Sequence, residues 1–165
     1  MLLVSRYIDF FNDWFGRIVA PLIAAIAIVV IYDISLRFFT GRPSDWAFEV
    51  TKQLFAANFM LMAAYALYHR AHVEVDVIKN LFSRKVRAVL EILGYIIFFA
   101  PFIWIYLEFS WSYAMRSWMR GETTYGIVSI PVYPIKMLMV VTGVLLLLQA
   151  VAIVLQSIRQ LREES

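Results

Sequence analysis

The chain has 165 residues, of which 62% are hydrophobic and only 16% are charged. Because soluble domains carry about 25% charged residues, this composition favours a membrane protein. The formal net charge is +3 and the basic residues do not form one stripe, which argues against nucleic-acid binding. There are no cysteines, which excludes thiol catalysis, disulfide exchange and cysteine-ligated metal.

Residues 1–17 predict a helix that lies in the membrane interface. Polar residues recur at helical spacing from Ser5 to Arg17, while Tyr7, Phe11 and Trp14 fall on the other side. Aromatic residues favour the headgroup region, where such a helix would place them. The alternative interpretation is a plain cytosolic extension of the first membrane span.

Four long apolar runs follow, and each reaches the roughly 20 residues needed to cross a hydrocarbon core. In lipid every backbone group must bond internally, so each run predicts a transmembrane helix. The expected fold is an all-α integral membrane protein, a single membrane domain over residues 1–165. It has four transmembrane helices plus short interfacial amphipathic helices. The predicted spans are about 18–38, 46–68, 88–113 and 134–158.

The link at residues 69–87 is polar and separates the second span from the third. Its later part predicts a short amphipathic helix on the membrane surface, with Asp76 as its N-cap. With the N-terminus inside, nine basic residues lie on the cytoplasmic side and four on the other side. This bias predicts that both termini and the link are cytoplasmic. The nine are Arg6, Arg17, Arg70, Lys79, Arg84, Lys85, Arg87, Arg159 and Arg162; the four are Arg37, Arg42, Arg116 and Arg120.

Two pairs of charged residues can neutralise each other within their own helices. Asp33 and Arg37 are four residues apart, and Glu49 and Lys52 are three apart. Residues at these spacings are neighbours on a helix surface. We therefore favour a structural role for both pairs over a functional one.

Glu108 is a lone carboxylate within the aromatic third span, with no basic residue at a neighbouring helical position. Such a group usually has a partner on another helix, or it is a proton or ion site. Arg116, two turns further on, and Lys136, at the start of the fourth helix, are the candidate partners. A coupling-ion site is less favoured, because transporter sites normally also use broken helices.

The two histidines, His69 and His72, lie three residues apart in one link. Haem ligation in a bundle needs histidines on facing helices, so this arrangement argues against it. We expect His72 to organise the link through hydrogen bonds with Glu74 or Asp76. No catalytic constellation or phosphate loop is evident, and we expect neither a cofactor nor a metal.

Three segments carry a family resemblance. The second span opens with Trp46-Ala47-Phe48-Glu49. The link contains His72-Val73-Glu74-Val75-Asp76 after the basic Arg70. The last span is entered through Ile130-Pro131 and continues to Lys136, and its body contains Gly143-Val144-Leu145-Leu146 and Gln149. Together these segments resemble the small membrane subunit, the DctQ type, of tripartite ATP-independent periplasmic (TRAP) transporters.

The resemblance implies a non-enzymatic subunit in the bacterial cell inner membrane. In this family a large membrane subunit, the DctM type, carries the substrate and sodium ions by an elevator motion. A periplasmic solute-binding protein delivers a small organic solute such as a carboxylate. The small subunit packs against the scaffold of the large one and against membrane lipid. The residues expected to serve structure or subunit contact are Trp46, Glu49, Arg70, His72, Asp76, Glu108 and Lys136.

Two other functions remain open at this stage. The first is a membrane-anchor subunit of a respiratory redox complex, which a haem Soret band in the purified protein would reveal. The second is a small homodimeric transporter that uses Glu108 as its proton site. Transport by this chain alone in proteoliposomes would favour that reading.

Overall fold

The computed structural model of the chain describes residues 16–69 and 83–163, together with Tyr7, Phe10, Asp13 and Trp14. This described part is mostly helical and contains no β-strand, which confirms the all-α prediction. The helices are α1 (Leu22–Thr40), α2 (Ala47–Tyr68), α3 (Arg84–Gly94), α4 (Ala100–Arg120) and α5 (Tyr133–Glu163).

Within the described residues, three helical stretches are long and apolar enough to cross a membrane. They are Gly16–Thr40, Lys85–Arg120 and Tyr133–Leu161. Helix α2 has 22 residues, but Lys52, Gln53 and Asn58 lower its hydropathy. By length and composition the described residues therefore provide three spanning helices, and the predicted count of four is not confirmed.

The third span belongs to a longer helix than the sequence predicted. Ser83 is its N-cap, since the Ser83 Oγ accepts a hydrogen bond from the backbone N–H of Val86 at 3.5 Å. The helix continues to Arg120, whereas the predicted span covered 88–113. The basic residues around Lys85 thus lie in the first turns of this helix, not at the end of a separate surface helix. The predicted cap, Asp76, lies outside the described residues, as does most of the link.

A π-helical segment, Tyr95–Phe99, joins α3 to α4 without ending the helix. Its cause is Pro101, which has no backbone N–H and whose ring clashes with the preceding turn. The helix widens there, and the N–H of Ala100 reaches back five residues to the carbonyl of Tyr95. Through this adjustment the long helix stays continuous.

Helix α5 is the centre of the bundle, since α2, α3 and α4 all pack against it. Its buried side is made largely of small and polar residues, including Thr142, Gln149, Ala152 and Ser157. Such residues allow close approach of helices in lipid, where the hydrophobic effect does not drive association. Helix α1 contacts mainly α2 and buries none of its own residues.

The helices define two ends of the bundle. The turn end consists of residues 41–53 and 121–136. There α1 ends at Gly41 and α4 ends at Gly121, which are both in the left-handed conformation, with φ of 69° and 58°. Glycine adopts this conformation without the steric penalty that other residues incur. The terminal end holds residues 13–14, 16–17, 65–69, 83–91 and 157–163. There the Ser157 hydroxyl donates to Glu91 at 2.7 Å. The candidate site residues within the described part divide between the turn end and the middle of α4.

Candidate functional site

Asp33 fixes the turn between α1 and α2. Its Oδ1 accepts a hydrogen bond from the backbone N–H of Ser44 at 2.8 Å. Arg37 lies 3.6 Å from the other carboxylate oxygen, in the expected intrahelical pair. The Ser44 hydroxyl in turn accepts from the N–H of Ala47 at 3.3 Å, at the start of α2. The carboxylate of Asp33 therefore has a structural role.

Trp46 and Glu49, from the motif that opens the second span, both lie at the turn end. The Trp46 ring stacks on Tyr32 of α1, with centroids 5.6 Å apart. The Lys52 ammonium lies 2.7 Å from Oε2 of Glu49. This contact is an ion pair between neighbouring positions of the same helix. Lys52 also lies 5.3 Å from the centroid of Phe48. Trp46 thus joins two helices, while Glu49 is neutralised within its own helix.

The segment between α4 and α5 folds back over the start of α2. A Cβ on Gly126 would lie 3.5 Å from Cγ of Glu49, so this glycine passes close to the glutamate. The side-chain amide of Gln53 donates to the carbonyl of Pro131 at 3.1 Å. These contacts join α2 to the entrance of α5.

This segment, residues 121–132, is held by its own hydrogen bonds. Thr123 and Pro131 form an isolated antiparallel bridge. The backbone N–H of Thr124 donates to the carbonyl of Ile130 at 2.9 Å, and that of Val132 donates to Glu122 at 2.9 Å. The Thr124 hydroxyl adds a bond to the carbonyl of Val128 at 3.1 Å. These bonds order the connection between α4 and α5 although it is not helical.

An ion pair between Lys136 and Glu122 closes the turn end. The Lys136 ammonium donates to Oε2 of Glu122 at 2.6 Å and lies 4.1 Å from the centroid of the Tyr113 ring. The lysine side chain is 9% exposed, whereas the glutamate side chain is 36% exposed. A nearly buried ammonium depends strongly on its anion, because its charge has lost most of its hydration. The pair thus ties α5 to both the connection and α4.

The hydrogen bond from Lys136 also holds the pKa of the Glu122 carboxyl below its ordinary value of 4.5. A carboxyl whose folded pKa is depressed stabilises the fold above its unfolded pKa. That contribution is lost as the pH falls through the folded value. The ion pair therefore stabilises the fold at neutral pH and weakens only in acid.

The terminal end carries a second set of polar contacts. Arg17 pairs with Asp13 at 2.8 Å, and Nε2 of His69 lies 3.4 Å from the same carboxylate. Gly16 lies against the ring of Tyr65 so closely that no Cβ would fit. The N-terminal segment is thus attached to the end of α2.

Three predicted site residues, Arg70, His72 and Asp76, lie outside the described residues. Their expected roles in the structure of the link or in subunit contact stay predictions. The same holds for most of the interfacial helix predicted at 1–17.

Glu108 lies in the middle of α4 and is exposed on its outer side. Among the described residues it has neither an ion-pair nor a hydrogen-bond partner. Arg116 does not contact it, and Lys136 is bound to Glu122 instead. The suggested pairing of Glu108 with Lys136 is therefore wrong, because the α4–α5 connection supplies a closer carboxylate.

Sequence reasoning missed Glu122 and Gln53. Glu122 is the one acidic residue between the third and fourth predicted spans, and it precedes a lysine in the first turn of the last helix. Its isolation could therefore have indicated Glu122 as the partner of Lys136. Gln53 gave no comparable signal, since its partner is a backbone carbonyl 78 residues away.

The described residues hold no group of three or more His, Cys, Asp or Glu side chains that could bind a metal ion. The ion pairs at the two ends are partly within one helix, as for Glu49 with Lys52, and partly between segments, as for Lys136 with Glu122. With three apolar helices of spanning length, the fold defines a multi-pass helical membrane protein.

The family follows from comparison with known proteins. Residues 26–160 match the model of the DctQ component of tripartite ATP-independent periplasmic transporters. The match covers most of the chain, so the protein belongs to the DctQ family, as its motifs suggested. This is a transporter component and not an enzyme family. No curated protein matches the chain significantly.

The ion pair at the turn end predicts unequal effects of removing its two partners. Glu122→Gln leaves a nearly buried ammonium without its anion, whereas Lys136→Met leaves a carboxylate that water can reach. We expect Glu122→Gln to lower the melting temperature of the detergent-solubilised protein more than Lys136→Met does. Heating followed by size-exclusion chromatography measures this difference.

The acid dependence provides the control. The wild-type protein should lose stability as the pH falls below 4.5, and this loss should be smaller in Glu122→Gln, which has no carboxyl to titrate at that position. Equal melting temperatures for the two variants at neutral pH would contradict the assigned ion pair.

Proposed function

We propose that this chain is the small transmembrane subunit of a TRAP transporter and packs against the scaffold of the large substrate-translocating subunit. The transporter would carry out sodium-coupled uptake of a small organic solute, such as a carboxylate, delivered by a periplasmic binding protein. The family match over residues 26–160 carries the proposal. The DctQ family works with a DctM subunit and a periplasmic binding protein.

The structure supports a static role beside a moving partner. An elevator mechanism needs one part of the complex to stay fixed in the bilayer while another slides. At the turn end, Asp33, Gln53 and Lys136 each bond to a different segment of the chain. Several independent contacts of this kind make the helices move as one body, as a fixed element requires.

The outer surface of the bundle supports contact with both lipid and a larger membrane protein. Helix α1 exposes a series of large apolar side chains along its length. Among them Ile28 is 67% exposed and Phe38 is 81% exposed. In water such a surface would be an aggregation hazard, but in a bilayer it suits acyl chains or another apolar helix.

We further propose that α2 is the fourth span and that both termini are cytoplasmic, in the bacterial inner membrane. Helix α2 forms a hairpin with α1 through a short turn and packs against α5, both of which reach spanning length. A helix of 22 residues is about 33 Å long, enough to cross the hydrocarbon core. Its polar residues Lys52 and Gln53 lie near its start, close to the turn end. An even number of spans then agrees with the predicted basic bias.

This topology can be tested with single cysteines in a chain that has none of its own. Ser83 and Thr123 are exposed and lie at opposite ends of the long helix. A membrane-impermeant thiol reagent added to intact cells should label Thr123→Cys. Ser83→Cys should react only after the inner membrane is permeabilised. The unmodified chain is the control, and labelling of both variants from outside would refute the topology.

The proposed function predicts that transport needs this chain although solute binding does not. Deleting it should abolish uptake of the solute, because the large subunit loses part of its fixed frame. The affinity of the isolated periplasmic binding protein should be unchanged. Radiolabelled uptake in the deletion strain, with and without a plasmid copy, measures this, and full uptake without the chain would sink the proposal.

A further inference from the structure

Glu108 faces away from the bundle. The residues that α4 buries against its neighbours include Ile103, Ser110 and Ala114. Each residue advances about 100° around a helix of 3.6 residues per turn, so Glu108 lies on the opposite side from Ser110. Glu108 is accordingly exposed on the bundle surface.

Glu108 also lies deep along the helix axis. It precedes Arg120, at the end of α4, by twelve residues, which is about 18 Å at 1.5 Å per residue. It follows Arg84, at the start of the long helix, by 24 residues, about 36 Å. The carboxylate therefore lies in the hydrocarbon region, where neither end of the helix gives it access to water. A charge exposed to lipid at this depth is strongly disfavoured.

Other acidic side chains described within helices have polar partners from this chain. Asp33 accepts from Ser44, Glu49 pairs with Lys52, and Glu91 accepts from Ser157. Within the described structure, Glu108 has none. Because the other described carboxylates in helices are paired within the chain, we expect the partner of Glu108 to come from another molecule.

The neighbours of Glu108 specify the chemistry of that group. Trp104 precedes it by one helical turn and Trp111 follows it by three residues, so all three share one face. The two indoles are 73% and 53% exposed. An arginine guanidinium pairs with a carboxylate through two hydrogen bonds and stacks on aromatic rings. A carboxylate between two exposed indoles therefore suits a basic side chain, and arginine fits best.

We infer that the face formed by Trp104, Glu108 and Trp111, the Glu108 face, docks a membrane-spanning helix of the large subunit that places a basic side chain on the carboxylate. This inference rests on the proposed function and identifies the part of the bundle that meets the partner. It assigns Glu108 to subunit contact and not to ion coupling. The bond forms inside the membrane, where little water competes for it.

The first test is recovery of the large subunit with the affinity-tagged chain after co-expression and detergent extraction. Glu108→Leu should lower that recovery by about tenfold or more, because the partner's cation loses its anion. Glu108→Gln, which keeps a hydrogen-bond acceptor, should lower it less. Trp104→Ala should also weaken recovery. The matched control is Phe59→Ala on α2, since Phe59 is likewise 73% exposed, and it should leave recovery unchanged.

A folding defect would give a different result. The Glu108 side chain is exposed and has no ion-pair or hydrogen-bond partner among the described residues, so the isolated Glu108→Leu protein should melt no lower than wild type. A variant that melts like wild type and still binds the large subunit fully would overturn the inference. If the wild-type chain itself does not recover the large subunit, the proposed function fails instead.

Cross-linking identifies the occupant of the face. A photoreactive amino acid at Trp111 should capture a helix of the large subunit that carries an arginine or lysine within the membrane. Glu108→Arg should abolish recovery, and changing that basic residue to glutamate in the same cells should restore it. Capture of a second copy of this chain, or of lipid alone, would contradict the inference.

Discussion

The close approach of α4 and α5 at Gly143 is the contact on which the rest of the structure depends. A Cβ at Gly143 would lie 2.5 Å from Cδ2 of Leu107 and 3.0 Å from the ring of Tyr106, so only glycine fits without displacement. Helix α5 then offers its remaining sides to α2 and α3, and α1 joins through α2. Because lipid solvates apolar side chains as well as a protein interior does, helices associate through tight packing and polar bonds. Gly143 provides the tight packing, and Lys136 and Ser157, near the ends of α5, provide the polar bonds.

This arrangement suits the static role proposed for the chain within a transporter. Several of its polar residues at the two ends connect separate segments of the chain to each other. Its apolar residues are largely exposed, which anchors it in the bilayer. The carboxylate on the outer side of α4 breaks this division, since it is polar and yet faces outward in the membrane. In the proposed complex this carboxylate is the point of attachment to the large subunit, a role that fits its position and its two tryptophan neighbours.

Local features of the fold could be predicted from the sequence, and features that join distant segments could not. The ion pair of Glu49 with Lys52 follows from a spacing of three residues on one helix, and the apolar runs follow from composition. The bond from Ser44 to Asp33 and the pairing of Lys136 with Glu122 depend on how turns fold back, which no periodicity reveals. The helix of the third span begins at Arg84 and not near residue 88, because the basic residues assigned to a surface helix continue the spanning helix from its cap at Ser83. The π-helical segment Tyr95–Phe99, next to Pro101, is a further feature that no apolar periodicity reveals.

The most direct test of this account compares valine at two helical glycines. Gly143→Val forces a branched side chain into Leu107 and Tyr106, and overpacking of this kind costs about 1–3 kcal/mol. Gly94→Val makes the same change where nothing lies within 4 Å of the added Cβ, and it should have little effect. The free energy of unfolding of both variants in the same detergent should therefore fall clearly for Gly143→Val only. Equal stabilities of the two variants would contradict the central role of the α4–α5 contact.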